Sequence, residues 1–268
     1  MTENEITSTQ NPRVKHLTAL QQKSALRRSE GLFVVEGRRE LEHCLEAGFR
    51  LEEVYVCPDL MDADRKVIDE ALARVGDSNV FRVSPAVYNK LAYRGTTEGV
   101  VATVHSRQLS LEQLPLGENP LLIVLESVEK PGNLGAVLRS ADAAKADAVI
   151  VCDPLTDLFN PNLIRSSIGA VFTVPTVACT SEECIAFFKQ RGIQILTAQL
   201  QDSHLYYETL MTGPTAIVMG TESTGLTRQW REAATAHIRI PMLGRLDSLN
   251  VSVSAAILLF EAVRQRQQ

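Results

Sequence analysis

The chain has 268 residues, of which 45% are hydrophobic and 22% charged, with a net charge of −5; such a chain buries a core without disulfide staples and is not a low-complexity or disordered one. Its apolar runs are too short to span a membrane, and the start Met1-Thr2-Glu3-Asn4-Glu5 lacks the basic and apolar parts of an export signal, so a cytoplasmic location with no membrane partner is expected. Cys44, Cys57, Cys152, Cys179 and Cys184 include no CxxC pair and the histidines have no metal spacing, which predicts reduced core thiols and no metal.

Asn11-Pro12 is a helix start, and Val14, Leu17 and Leu20 follow at helical spacing. From Asn11 to Ser29 the chain carries Arg13, Lys15, Lys23, Arg27 and Arg28 and no acid. On an acidic protein this strip is either a nucleic-acid contact or a solvated helix face, and charge alone does not separate the two. Leu32 to Val35 reads as a strand. Leu41, Cys44 and Leu45 form the stripe of a helix that Gly48 ends. A strand at Val54 to Val56, a helix through Val67, Ile68, Ala71, Leu72 and Val75, and strands at 80–83 and 99–104 complete a small αβα sandwich over residues 1–106. Residues 107–119, with Pro115 and Gly117, read as a linker.

A second α/β unit is expected over 120–268. Its strands at 121–125, 148–152, 193–197, 216–219 and 238–240 are apolar on both faces, the pattern of a parallel sheet covered by helices. The last helix, from about Val251 to Arg264, is apolar almost all round in its first turns and is expected to be buried.

Ligands of parallel sheets sit at the carboxyl ends of the strands, and three of these ends are unusual. The first runs from Glu126 through Lys130-Pro131-Gly132-Asn133-Leu134-Gly135 to Arg139, with Asn133 a competent helix cap and Arg139 a possible phosphate fork or a plain surface residue. The second, Met219-Gly220-Thr221-Glu222-Ser223-Thr224-Gly225-Leu226, exposes backbone beside one carboxylate. The third, Ile240 to Ser252, sets Ser248, Asn250 and Ser252 at the start of the last helix, which is more hydrogen-bonding capacity than a cap requires. No GxxxxGK, GxGxxG or GxSxG is present in a usable context.

In order and phrase (PGNLGAVLRSADA, MGTESTGL, IPMLGRLDSLNVSVSAA) these loops resemble the motifs of the SpoU/TrmH branch of the SPOUT RNA methyltransferases. Asn11-Pro12-Arg13-Val14-Lys15 and Gly31 to Gly37 are similar to that family's substrate-binding domain. The resemblance implies a trefoil knot near the C-terminus, a homodimer, S-adenosyl-L-methionine as cofactor and transfer of its methyl group to a ribose 2′-hydroxyl. It implies that Gly220, Ile240 and Leu249 hold the cofactor through their backbone, and that Asn133, Arg139, Glu222, Ser248 and Asn250 form the polar active site. A guanidinium is a poor base, so Arg139 is expected to clamp phosphate, Ser248 to lie in the proton path, and Asn133 and Asn250 to orient ribose and loops. Arg13, Lys15, Arg27 and Arg28 are the expected RNA contacts. Ribosomal RNA is the expected substrate and transfer RNA the second. The rival readings are a base methyltransferase of another SPOUT branch and a non-catalytic RNA-binding or assembly protein with the same fold.

Overall fold

The computed structural model describes residues 4–61, 65–92, 98–221 and 223–267. The chain runs β1 (Glu5–Ile6), α1 (Pro12–Gln22), α2 (Ser24–Glu30), β2 (Leu32–Glu36), α3 (Arg38–Glu46), β3 (Leu51–Val56), α4 (Lys66–Val75), β4 (Val80–Val83), α5 (Pro85–Leu91) and β5 (Val100–His105). It continues with β6 (Leu121–Glu126), α6 (Pro131–Ala143), β7 (Ala148–Cys152), α7 (Pro161–Ser166), α8 (Ala170–Thr173), β8 (Thr176–Cys179), α9 (Ser181–Arg191) and β9 (Gln194–Ala198). Last come β10 (His204–Leu205), β11 (Thr215–Met219), α10 (Arg228–Ala233), β12 (Ala236–Arg239) and α11 (Val251–Arg266).

The first unit comprises residues 1–107 and 159–173. Its sheet has the order β1-β4-β3-β5-β2, with β5 antiparallel to both neighbours. Val14, Leu17 and Leu20 on one face of α1 pack with Val34, Tyr55 and Phe81. Asn11 caps α1 by accepting from the Arg13 N–H, and Pro12 supplies the preset φ of a first helical residue. The basic stretch is not one helix. It breaks at Lys23, which is extended, and restarts as α2. The break lets Arg27 fold back, so that its Nη1 donates to Leu20 O (2.6 Å) and Gln21 O (3.1 Å) at the end of α1. Carbonyls at a helix C-terminus need such partners, and Arg27 is only 4% exposed.

Residues 159–173 cluster with this first unit, although they fall inside the 120–268 stretch expected as one domain. The reason is aromatic: Phe159 stacks on Phe33 at 4.3 Å and Phe172 lies 5.2 Å from Phe49.

The second unit comprises residues 108–158 and 174–268. Its seven-stranded sheet has the order β10-β12-β9-β11-β6-β7-β8, and every pairing is parallel. Beneath it Leu122, Val124, Ile150, Phe188 and Trp230 form the core. The core also takes in Leu111 and Leu114, so part of the expected linker is structural: a short 3-10 turn with a Ser110–Gln113 capping box presents both leucines inward. The final helix α11 packs against α6, β6 and β11 and buries Val251, Ala255, Leu258, Leu259 and Ala262. It is not buried all round, however, because Val253 and Phe260 are each about half exposed. Arg266 ties its C-terminal end down by donating to the carbonyls of Met211, Asn119 and Gly213. Among the described residues no helix is long and apolar enough to cross a membrane.

Candidate active site

The site lies at the carboxyl edge of the second unit's sheet, and its frame starts at Glu126, the last residue of β6. This side chain is 1% exposed. It accepts from Thr227 twice, through the backbone N–H (2.8 Å) and the hydroxyl (2.6 Å). The Ser181 hydroxyl lies near two carboxylates but has one proton; it donates to Asp153 at 2.6 Å rather than to Glu126 at 3.4 Å, and accepts from the Trp230 indole at 2.9 Å.

Glu126 thereby anchors the far end of the loop that follows β11. At the near end, Thr221 and Gly225 exchange backbone bonds of 3.3 and 3.1 Å. Thr221 Oγ1 accepts from the Thr224 N–H at 3.0 Å. The turn is so tight that a Cβ on Gly220 would fall 2.3 Å from the carbonyl carbon of Gly225. Gly220 is therefore demanded by the chain's own backbone as well as by any ligand. Glu222 lies outside the described residues.

A hydrogen bond joins the third loop to the first. Asn250 caps α11 by accepting from Ser252 N–H (3.0 Å) and Ser252 Oγ (2.6 Å), and its Nδ2 donates to Asn133 Oδ1 at 3.1 Å. Asn133 is not the helix cap the sequence suggests. With Pro131 at the first helical position, α6 begins at Lys130-Pro131 and Asn133 sits in its first turn, where its Oδ1 accepts from Asn250.

Gly220, Ile240, Ser248 and Leu249 line one cavity of about 430 Å³, with Gln199 and Asp247 in its wall. That volume is in the usual range for small-molecule sites, roughly 300–1,000 Å³. Asn133 lines an adjoining cavity of about 120 Å³ that shares Gly220, Thr221 and Val251. Arg139 stands apart. It is exposed, lines neither cavity, and has no hydrogen-bond or ion-pair partner among the described residues; it lies about 9 Å along α6 from Asn133.

One residue of the cavity escapes sequence reasoning. Gln199 follows β9, a fourth strand end at the same edge; its Nε2 donates to Gln201 O at 2.9 Å while its buried Oε1 has no partner among the described residues. Asp247 accepts from the Ser248 hydroxyl at 3.3 Å. Position at a strand's carboxyl end was the available signal for Gln199.

In the basic strip, Lys15, Lys23 and Arg28 are exposed and have no partner among the described residues. Arg13 is engaged by the Glu53 carboxylate and lies 4.3 Å over the Phe81 ring. Arg27, expected as an RNA contact, is instead committed to the end of α1, for the reason given above.

Residues 120–260 match the model of the SpoU rRNA methylase family, and residues 11–102 match that of the MRM3-like substrate-binding domain. The chain belongs to the SpoU rRNA methylase family. It is 37% identical, over 81% of its length and 91% of the relative's, to the 23S rRNA (guanosine-2′-O-)-methyltransferase RlmB of Photobacterium profundum. Over 64% of its length and 72% of the relative's it is 42% identical to RlmB of Pseudomonas syringae pv. tomato. Among solved structures it is similar to an RNA 2′-O ribose methyltransferase (41% identity, TM-score 0.85, 98% of this chain and 100% of that one). It also resembles an AdoMet-bound rRNA methyltransferase from Sinorhizobium meliloti (31%, TM-score 0.87, 97% of each). Family membership makes the chain a methyltransferase, and it accounts for the two adjoining carboxyl-edge cavities that the three sequence motifs line.

The crowding at Gly220 has a measurable consequence. Gly220→Ala must displace the Gly225–Leu226 backbone, so thermal denaturation is expected to show a loss of about 1–3 kcal/mol. An unchanged melting temperature would contradict the tight turn.

Proposed function

We propose that the chain transfers a methyl group from S-adenosyl-L-methionine to a ribose 2′-hydroxyl of ribosomal RNA; the RlmB relatives are named as 23S rRNA guanosine-2′-O-methyltransferases, and the Sinorhizobium meliloti structure is AdoMet-bound. The observation that carries this reading is the cavity in which the second and third motifs meet, Gly220 with Ile240, Ser248 and Leu249. The cofactor fits the residues present: the unpartnered Gln199 Oε1 is an acceptor suited to an amino or hydroxyl group of a nucleoside. The backbone at Gly220, Ile240 and Leu249 would hold it. When bound, it supplies a methyl group activated by a positive sulfur.

The chain's own residues orient the acceptor and move its proton. Ser248 takes up the 2′-hydroxyl proton's hydrogen bond, and Asp247 behind it gives the serine proton an acceptor. The Asn133–Asn250 pair holds α6 and α11 in register at the ribose. Arg139, unpaired and exposed, is the phosphate clamp; a fork of N–H donors suits phosphate oxygens. Glu222 completes the polar set. Lys15 and Arg28, with Lys23 beside them and Arg13 partly engaged, contact RNA phosphates.

The C-terminal trefoil knot is part of this reading. It is supported by the path of α11, which returns to α6, β6 and β11 from β12, a strand beyond β9 in the sheet order. A homodimer is supported by the half-exposed Val253 and Phe260, seven residues apart on one face of α11. The location proposed is the cytoplasm.

Incubation with labelled S-adenosyl-L-methionine and ribosomal RNA, followed by nuclease digestion and mass spectrometry, is expected to show a 2′-O-methylated nucleoside. A methyl on a base, or none, would overturn the reading. Arg139→Ala and Arg139→Lys are both expected to keep cofactor binding and lose turnover on the order of 100-fold; near-normal turnover of the Lys variant would remove the clamp role. Lys15→Gln, Lys23→Gln and Arg28→Gln together are expected to flatten the log–log salt dependence of RNA binding by about 2, at roughly 0.7–0.9 per phosphate. An unchanged slope would leave the strip a solvated face.

A further inference from the structure

The sequence scatters its cysteines, but the parallel sheet collects three of them. Cys152 ends β7 and Cys179 ends β8, and the two are register partners across the sheet. Cys184 enters from the first turns of α9, whose cap is Thr180. The three sulfurs all lie within 4.8 Å of one another, and Cys152 Sγ is 3.9 Å from Cys179 Sγ. Sulfurs that share a metal at about 2.3 Å stand roughly 4 Å apart, so this triangle needs little contraction to close on a cation.

We propose that Cys152, Cys179 and Cys184 form a three-sulfur site for a thiophilic cation of the Zn²⁺ or Cu⁺ class. The cluster is separate from the methyl-transfer cavity, since none of its members lines that cavity. Soft thiolates select such cations over hard ones, and three sulfurs suit trigonal Cu⁺ as they stand or Zn²⁺ with a water as fourth ligand. Cys152 and Cys184 are buried, whereas Cys179 is partly exposed and provides the way in. The positive N-terminal end of the eleven-residue α9 favours deprotonated sulfur beside it. As the cation binds, each ligating thiol releases its proton to solvent and a metal–sulfur bond replaces the S–H bond, with no change of oxidation state.

The test uses the full chain, reduced and stripped with chelator. It is titrated with Zn²⁺ against a chromogenic competitor and, separately and anaerobically, with Cu⁺ against a Cu⁺-specific one. Cd²⁺ serves as a spectroscopic probe of thiolate ligation. One equivalent of Zn²⁺ or Cu⁺ is expected to bind, and which titration responds identifies the cation. Cd²⁺ is expected to give a sulfur-to-metal charge-transfer band. Cys179→Ser, at the partly exposed corner, is expected to weaken binding at least tenfold and to diminish the band, while Cys57→Ser leaves both unchanged. Failure of both cations to bind the folded wild type, or undiminished binding in Cys179→Ser, would overturn the site and leave three core thiols.

Discussion

A buried carboxylate with no ion-pair partner among the described residues sets the geometry of this site. Glu126 ends the interior strand β6, and both strong hydrogen bonds it accepts come from Thr227, one from backbone and one from side chain. Burying an ionisable group is costly unless its hydrogen-bonding capacity is met. Thr227 therefore has one low-energy place to be, and the loop from Gly220 to Leu226 is stretched between that anchor and the end of β11. The tight Thr221–Gly225 turn and the glycine at 220 follow from the short span that remains.

The second joint, Asn250 with Asn133, works differently. It is exposed, and a single hydrogen bond of this kind contributes only about 0.5–1.5 kcal/mol. Its value is positional. It couples the starts of α6 and α11, two helices that also pack along their lengths, so the first and third motifs keep one register. The loop end that Glu126 anchors on one side and the paired helix starts on the other border the two cavities. Electrostatic and orienting catalysis require preorganisation.

Much of this was legible in the sequence, because the central strands are covered on both faces and so appear as uninterrupted apolar runs. The strands that were missed are those for which this reason fails: β8 lies at one edge of the second sheet and buries only Val177, and β1 and β10, each at a sheet edge, are two residues long. Leu111 and Leu114 were hidden in a stretch whose proline and glycine suggest a linker. Arg27 shows the limit of reading charge as function, since a guanidinium near a helix end finds backbone carbonyls before it finds phosphate. The motif residues were legible as residues but not as contacts. The Asn133–Asn250 bond joins positions 117 apart, and the cysteine triangle depends on strand register, which spacing along the chain does not encode.

The central claim is that the Glu126–Thr227 joint shapes the cofactor cavity. Thr227→Val removes one of the two hydrogen bonds and keeps the side chain's volume and the backbone bond. Hydrogen exchange over residues 220–227, measured with calorimetric titration of S-adenosyl-L-methionine, tests the claim most directly. The expected result is faster exchange confined to that loop and about tenfold weaker cofactor binding, equivalent to roughly 1.4 kcal/mol. Unchanged exchange and unchanged affinity in a folded Thr227→Val variant would contradict it.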